Sequence, residues 1–221
     1  MLRICLAFAL FGFVLSAAPV RAHDAHGKDG HKKTVETASA EVDHPALSKA
    51  DIATIYGLVD TTGTRVGPAR FQGRFSLVVF GYTACPDVCP TAMTHVTTVM
   101  EKLGKLSRYV QPVFVTFDPA RDTTDVLRDY VSHFDQRTLA LTGTDEAIKS
   151  VQEGYGVLSV PGPKDEDGSY FISHTAAKYL IGPDGSHVQS FSHDDPPEQI
   201  AGYLKDIFGR IGKQACGFPL T

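Results

Sequence analysis

Two cysteines stand four apart in Tyr82-Thr83-Ala84-Cys85-Pro86-Asp87-Val88-Cys89-Pro90, and what flanks them limits the folds open to this chain. Before them, Ser76 to Phe80 (SLVVF) is apolar at consecutive positions, the pattern of a central strand covered on both faces. Gly81 and the cysteine segment then make a turn, and Pro90 opens a helix, where its missing N–H and fixed φ cost nothing. Met93, Val96, Met100 and Leu103 follow at spacings of three, four and three, which places them on one helical face toward a core, with His95 off that stripe. A buried strand feeding a helix through a short turn implies a sheet with helices packed on it.

The rest of the chain repeats that unit. Val113 to Phe117 reads as a second buried strand, broken by Asp118-Pro119-Ala120-Arg121-Asp122 before a helix bearing Val126, Leu127, Tyr130, Val131 and Phe134. Leu139 to Leu141 is a third short strand, and Asp145 to Tyr155 a helix that Gly156 can end. Residues 157 to 168 read as loop. Tyr170 to Ile172 and Ala177 to Ile181 are strands, and Pro183-Asp184-Gly185 is a turn before His187 to Phe191. Pro196 to Ile211 closes with an amphipathic helix. Ahead of the first unit, apolar pieces at 52–59 and 66–71 flank Thr61-Thr62-Gly63-Thr64 and suggest a hairpin. The expected fold is α/β: a thioredoxin-like mixed sheet with helices on both faces and an N-terminal β-hairpin.

The 221 residues suffice for one ordinary domain with an export segment and a tail. Arg3, the apolar run Ile4 to Val20 and the small residues around Arg21 mark 1–22 as a signal peptide, the alternative being a retained anchor. Cys5 would leave with the peptide. Residues 23–44 form a polar linker carrying His23, His26 and His31, which could hold a metal loosely but read first as a solvated tether. The domain is then 45–212 and the tail 213–221. Without Arg3 and Arg21 the formal charge moves from −4 to −6, which argues against a nucleic-acid partner.

Residues four apart near a helix start share one face, with β-carbons roughly 5 to 6 Å apart. That suits two thiolates clasping one metal, and with a modest backbone shift it also permits a Cys85–Cys89 disulfide. The unpaired N–H groups of the helix start favour the thiolate, chiefly at Cys89. Two thiolates leave a metal under-coordinated. His174, at the end of one strand and before the next, is the best placed imidazole to complete the set. Two soft sulfurs and one nitrogen suit Cu(I) and can also hold Cu(II). A structural zinc site would want a fourth protein ligand, and none is evident.

Three segments carry a family resemblance: Phe80-Gly81-Tyr82-Thr83-Ala84-Cys85-Pro86-Asp87-Val88-Cys89-Pro90, Asp118-Pro119-Ala120-Arg121-Asp122-Thr123, and Ser173-His174-Thr175. Over about residues 57–208 the chain resembles the Sco/SenC proteins. The resemblance implies a copper-binding protein that helps assemble the dinuclear copper centre of cytochrome c oxidase, with Cys85, Cys89 and His174 as ligands. It further implies an apo acceptor, oxidase subunit II, as partner and a supporting place for Asp118 beside His174 or the cysteine loop, while segment 1–22, cleaved or retained, gives a periplasmic or other extracytoplasmic location. Asp118 reads equally as a helix cap or a partner for Arg121. Family members often carry an acidic residue before the histidine, where this chain has Ser173.

Tyr82 and Thr83 are expected to shape the loop. His44, His95, His133, His187 and His193 read as structural, and Cys216 as idle once Cys85 and Cys89 act together. The expected function is a monomeric copper metallochaperone. The alternative is a thiol–disulfide oxidoreductase that reduces the acceptor's cysteines through Cys85 and Cys89. Three intervening residues, rather than the usual two, and the presence of His174 favour copper. A peroxiredoxin-type peroxidase would want threonine three residues before its cysteine, and Thr83 stands two before Cys85.

Overall fold

A computed structural model describes residues 51–214. Strands β1 (Val59–Asp60), β2 (Phe75–Gly81), β3 (Val110–Thr116), β4 (Leu139–Thr142), β7 (Ala177–Ile181) and β8 (His187–Ser192) form one sheet in the order β1-β4-β3-β2-β7-β8. The central β2, β3 and β4 are parallel, while β1, β7 and β8 run antiparallel to their neighbours β4, β2 and β7. Strands β5 (Ser159–Pro161) and β6 (Ile172–His174) pair separately as an antiparallel ribbon.

The helices are α1 (Val88–Leu103), α2 (Thr124–Ser132), α3 (Asp145–Tyr155) and α4 (Pro197–Gln214). Every residue of β2 is buried because alternate side chains enter two apolar layers. Phe75, Leu77 and Val79 pack with Met93, Val96 and Met100 of α1, Leu127 of α2 and Leu204 of α4. Val78 and Phe80 pack with Ile148, Val151 and Tyr155 of α3. Each such side chain is stabilised by about 1.5–3 kcal/mol on leaving water, so the site at the end of β2 rests on a strand buried along its whole length. The mixed sheet with helices on both faces is thus as expected.

Local chemistry sets the helix ends. Thr123 and Thr144 accept from the N–H groups of Val126 and Ala147 as N-caps. Gly156 ends α3 in the left-handed region at φ 64°, where a side chain would be strained.

Three expectations shift. The N-terminal hairpin shrinks to a tight turn in which Val59 bridges Arg65, because its flanks at Ile52–Ile55 and Pro68–Arg70 wind into 3-10 turns. Part of the loop expected over 157–168 is β5, whose Val160 and Pro161 are exposed, so pairing with β6 rather than burial holds it. The strand expected at Tyr170 to Ile172 begins at Ile172, and His174 is its last residue.

Candidate metal centre

The site begins where β2 ends. Gly81 occupies a position with no room for a side chain: a β-carbon there would lie 2.9 Å from the Cys89 sulfur and 2.8 Å from the Phe114 ring. The chain then turns, with the Cys85 N–H donating to the Tyr82 carbonyl at 3.2 Å. Cys89 is the second residue of α1, and its backbone N–H donates to Cys85 Sγ at 3.4 Å. Cys89 is buried, Cys85 half-buried, and both are free thiols.

His174 arrives on β6, the strand paired with β5 outside the main sheet. The Tyr82 hydroxyl accepts the Ile172 N–H at 3.1 Å, tying that ribbon to the cysteine loop. The Tyr82 ring meets the imidazole edge-on at 6.1 Å and the Phe117 ring lies 4.8 Å from it. His174 Nδ1 is 3.1 Å from the Thr175 carbonyl, a contact that calls for the proton on Nδ1. Nε2 is then left with its lone pair, 3.5 Å from Cys89 Sγ. The Thr175 carbonyl therefore orients the imidazole in the manner usual for metal-binding histidines. Ser173 is exposed and faces away, so the missing acidic neighbour leaves no gap at the site.

The ligand atoms of Cys85, Cys89 and His174 all lie within 4.8 Å of one another. Bonds to sulfur and nitrogen of roughly 2.0–2.3 Å place three ligands of a trigonal ion somewhat under 4 Å apart, so these side chains fit one ion with small adjustments. Among the described residues no fourth histidine, cysteine or carboxylate joins the group.

One electrostatic expectation is corrected. Burial pushes the Cys89 thiol pKa upward, and the Tyr82 backbone hydrogen bond only partly opposes this. The helix start does not rescue the Cys89 thiolate, because the N–H of Cys89 itself points to Cys85 Sγ. A cation that replaces the proton supplies the charge compensation this buried sulfur lacks.

Asp118 does not reach the ligands among its hydrogen bonds. It pairs with Arg121 and accepts from the Tyr170 hydroxyl at 2.9 Å. Arg121 lies over the Tyr170 ring at 3.6 Å, and its Nη1 donates to the Tyr170 carbonyl. The residue that reaches the cysteine loop is Asp122, which is fully buried. Its carboxylate accepts from the backbone N–H and hydroxyl of Thr83 and from the Thr116 hydroxyl. Sequence reasoning passed over Asp122. Both aspartates of Asp118-Pro119-Ala120-Arg121-Asp122 were visible, but nothing local distinguished the one aimed inward.

Of the other histidines, His187 bonds Ser190 and His133 caps α2. His193 borders the same small cavity as Cys89 and His174, and His95 stands near it on α1. The expectations for residues 1–22, for the 23–44 linker with His23, His26, His31 and His44, and for Cys216 fall outside the described residues.

A family model described as SCO1/SenC matches residues 44–209. The SCO2-like protein of Rickettsia felis is 37% identical over 152 residues, 68% of this chain and 74% of that protein. The human mitochondrial protein SCO1 homolog is 36% identical over 148 residues, 66% of this chain but only about half, 49%, of the human chain. Among solved structures, that of Bradyrhizobium japonicum ScoI with copper bound superposes with a TM-score of 0.63 at 36% identity, covering 68% of this chain and 96% of that one. The match spans the strand-to-helix turn with both cysteines and the ribbon with the histidine, and this chain belongs to the SCO1/SenC family.

Proposed function

We propose that this chain is an exported copper metallochaperone: Cys85, Cys89 and His174 hold one copper ion, which an apo acceptor, cytochrome c oxidase subunit II, takes by ligand exchange. The observation that carries the reading is the convergence of two sulfurs and an imidazole nitrogen, from elements far apart in sequence, within 4.8 Å. Three soft or borderline ligands with an open side suit Cu(I) and leave room for an incoming thiolate, whereas a structural zinc site would be closed by a fourth. The copper-bound ScoI structure supports the choice of ion. Asp122 fixes the cysteine loop, and Asp118 supports the site at one remove by holding Arg121 against Tyr170. Export through segment 1–22 and a tether over 23–44 belong to the same reading. Simple thiol exchange would leave the aim of His174 Nε2 at Cys89 without a use, and a buried thiol with a raised pKa attacks disulfides slowly.

The test is copper retention by the reduced chain, loaded anaerobically with Cu(I) against a competing chelator. One ion per wild-type chain is expected, none in Cys85→Ala or Cys89→Ala, and binding at least tenfold weaker in His174→Ala. Retention unaffected by His174→Ala would overturn the ligand set. Absence of retained copper together with efficient reduction of a test disulfide would establish the oxidoreductase instead.

A further inference from the structure

Lys178 is a lysine with 1% of its surface exposed, on the strand next to the β8 edge of the sheet. It lies on β7 opposite Val79 of β2. Ala177 and Tyr179 enter the layer formed with α3 and Leu180 the layer formed with α1, so alternation along the strand puts Lys178 on the α1 side. There its Nζ donates to the carbonyls of Ser192 and His193, each at 3.1 Å. No carboxylate pairs with it at ion-pair distance among the described residues.

Lys178 also borders a cavity of about 10 Å³ shared with Cys89, His174 and His193, a volume suited to about one water molecule. The charged and titratable groups around it are few. His95 and His193 face the same region, each with a buried Nδ1 that has no partner. Glu198 acts on His95 from α4. Burial lowers the Lys178 pKa, and Asp195, half-buried, and Asp194, exposed, oppose this by favouring the ammonium. A methionine or leucine would fill this strand position without desolvating a charge. What an ammonium adds is a field in a cavity that Cys89 and His174 also line.

We propose that Lys178 sets the preference of the centre for Cu(I) over Cu(II). Two thiolates and a neutral imidazole carry one net negative charge around Cu(I) and none around Cu(II), so a fixed positive charge beyond the ligands stabilises the cuprous form. Lys178 acts without touching the ion, and the inference rests on the copper reading of Cys85, Cys89 and His174. At an effective dielectric of ~20, one unit charge about 12 Å from the ion changes the ratio of the two affinities by roughly tenfold, the equivalent of about 59 mV for a one-electron couple, and a nearer charge changes it by more.

The experiment measures Cu(I) and Cu(II) affinities by chelator competition for wild type, Lys178→Met, Lys178→Gln and Lys178→Arg, with circular dichroism and urea unfolding to confirm folded protein. Met removes charge and donor, Gln keeps a donor without charge, and Arg keeps the charge. The expected result is one ion per chain throughout, with the Cu(I)-to-Cu(II) affinity ratio lowered about tenfold in Met and Gln and nearly unchanged in Arg. An unchanged ratio in both neutral variants overturns the inference while leaving the copper site standing. An equal fall in Arg and Met overturns it in favour of a packing role. A wild-type chain that retains neither ion overturns the copper reading and this inference with it.

Discussion

Replacing Asp122 by alanine should unfold the cysteine loop's anchor before it touches the ligands. The carboxylate is fully buried and accepts three hydrogen bonds, two from Thr83 and one from Thr116. A hydrogen bond to a charged group contributes about 1.5–3 kcal/mol, and donors left buried without partners add to the loss. The two hydroxyls can turn toward other acceptors, but the Thr83 N–H cannot. Against this, the truncation relieves the desolvation that raises the pKa of Asp122. The net expectation is a loss of about 3 kcal/mol, or roughly 10 °C in Tm for a domain of this size. Urea unfolding of the reduced, metal-free chain reads it as a lower midpoint with an unchanged slope. Asp122→Asn should lose roughly half as much, since an amide oxygen still accepts from Thr83. A double-mutant cycle with Thr83→Val should show at least about 1 kcal/mol of coupling between the two positions. A loss under 1 kcal/mol for Asp122→Ala, or no coupling, would refute the assignment of Asp122 as the anchor of the loop.

Other substitutions test neighbouring parts of the account. Gly81→Ala drives a β-carbon against Cys89 Sγ and the Phe114 ring, and should cost about 1–3 kcal/mol while weakening metal retention; wild-type values in both assays would show that the close approach is dispensable. Tyr82→Phe removes the acceptor of the Ile172 N–H, so amide exchange at Ile172 should accelerate at least tenfold, and unchanged protection would mean the ribbon is held some other way. The raised pKa of Asp122 also fixes the sign of a pH effect: the native state keeps this proton where the unfolded chain has lost it. Its contribution therefore falls as pH rises from the ordinary carboxylate value through the raised one, and Asp122→Asn should remove that segment of the stability profile. A mutant profile parallel to wild type over that range would contradict the shift.

What the sequence disclosed follows from how each element is held. Ser76 to Phe80 was legible because burial on both faces leaves a continuous apolar run, and α1 because Met93, Val96, Met100 and Leu103 all meet one layer. Gly156 was legible as a cap for its left-handed backbone. Strand β5 was not, since Val160 at 63% exposure offers no burial pattern and the strand exists through its partner. At the site, Cys85 and Cys89 announced themselves by spacing, and His174 by its place at a strand end. The raised pKa of Cys89, the inward aim of Asp122 and the burial of Lys178 were hidden, because each depends on which distant surfaces close over the residue. A lysine within Ala177-Lys178-Tyr179-Leu180-Ile181 reads locally as a solvent-facing position. Only the turn Ser192 to Pro197 and α1, folded over it, make it an interior charge.

The most direct test of the central claim is X-ray absorption at the copper edge of the reduced chain loaded with one equivalent of Cu(I). The account predicts a three-coordinate ion with two sulfur neighbours and one imidazole nitrogen, the nitrogen shell disappearing in His174→Ala. A first shell without the imidazole in wild type, or one that His174→Ala leaves unaltered, would contradict the assembly of Cys85, Cys89 and His174 into a single copper centre.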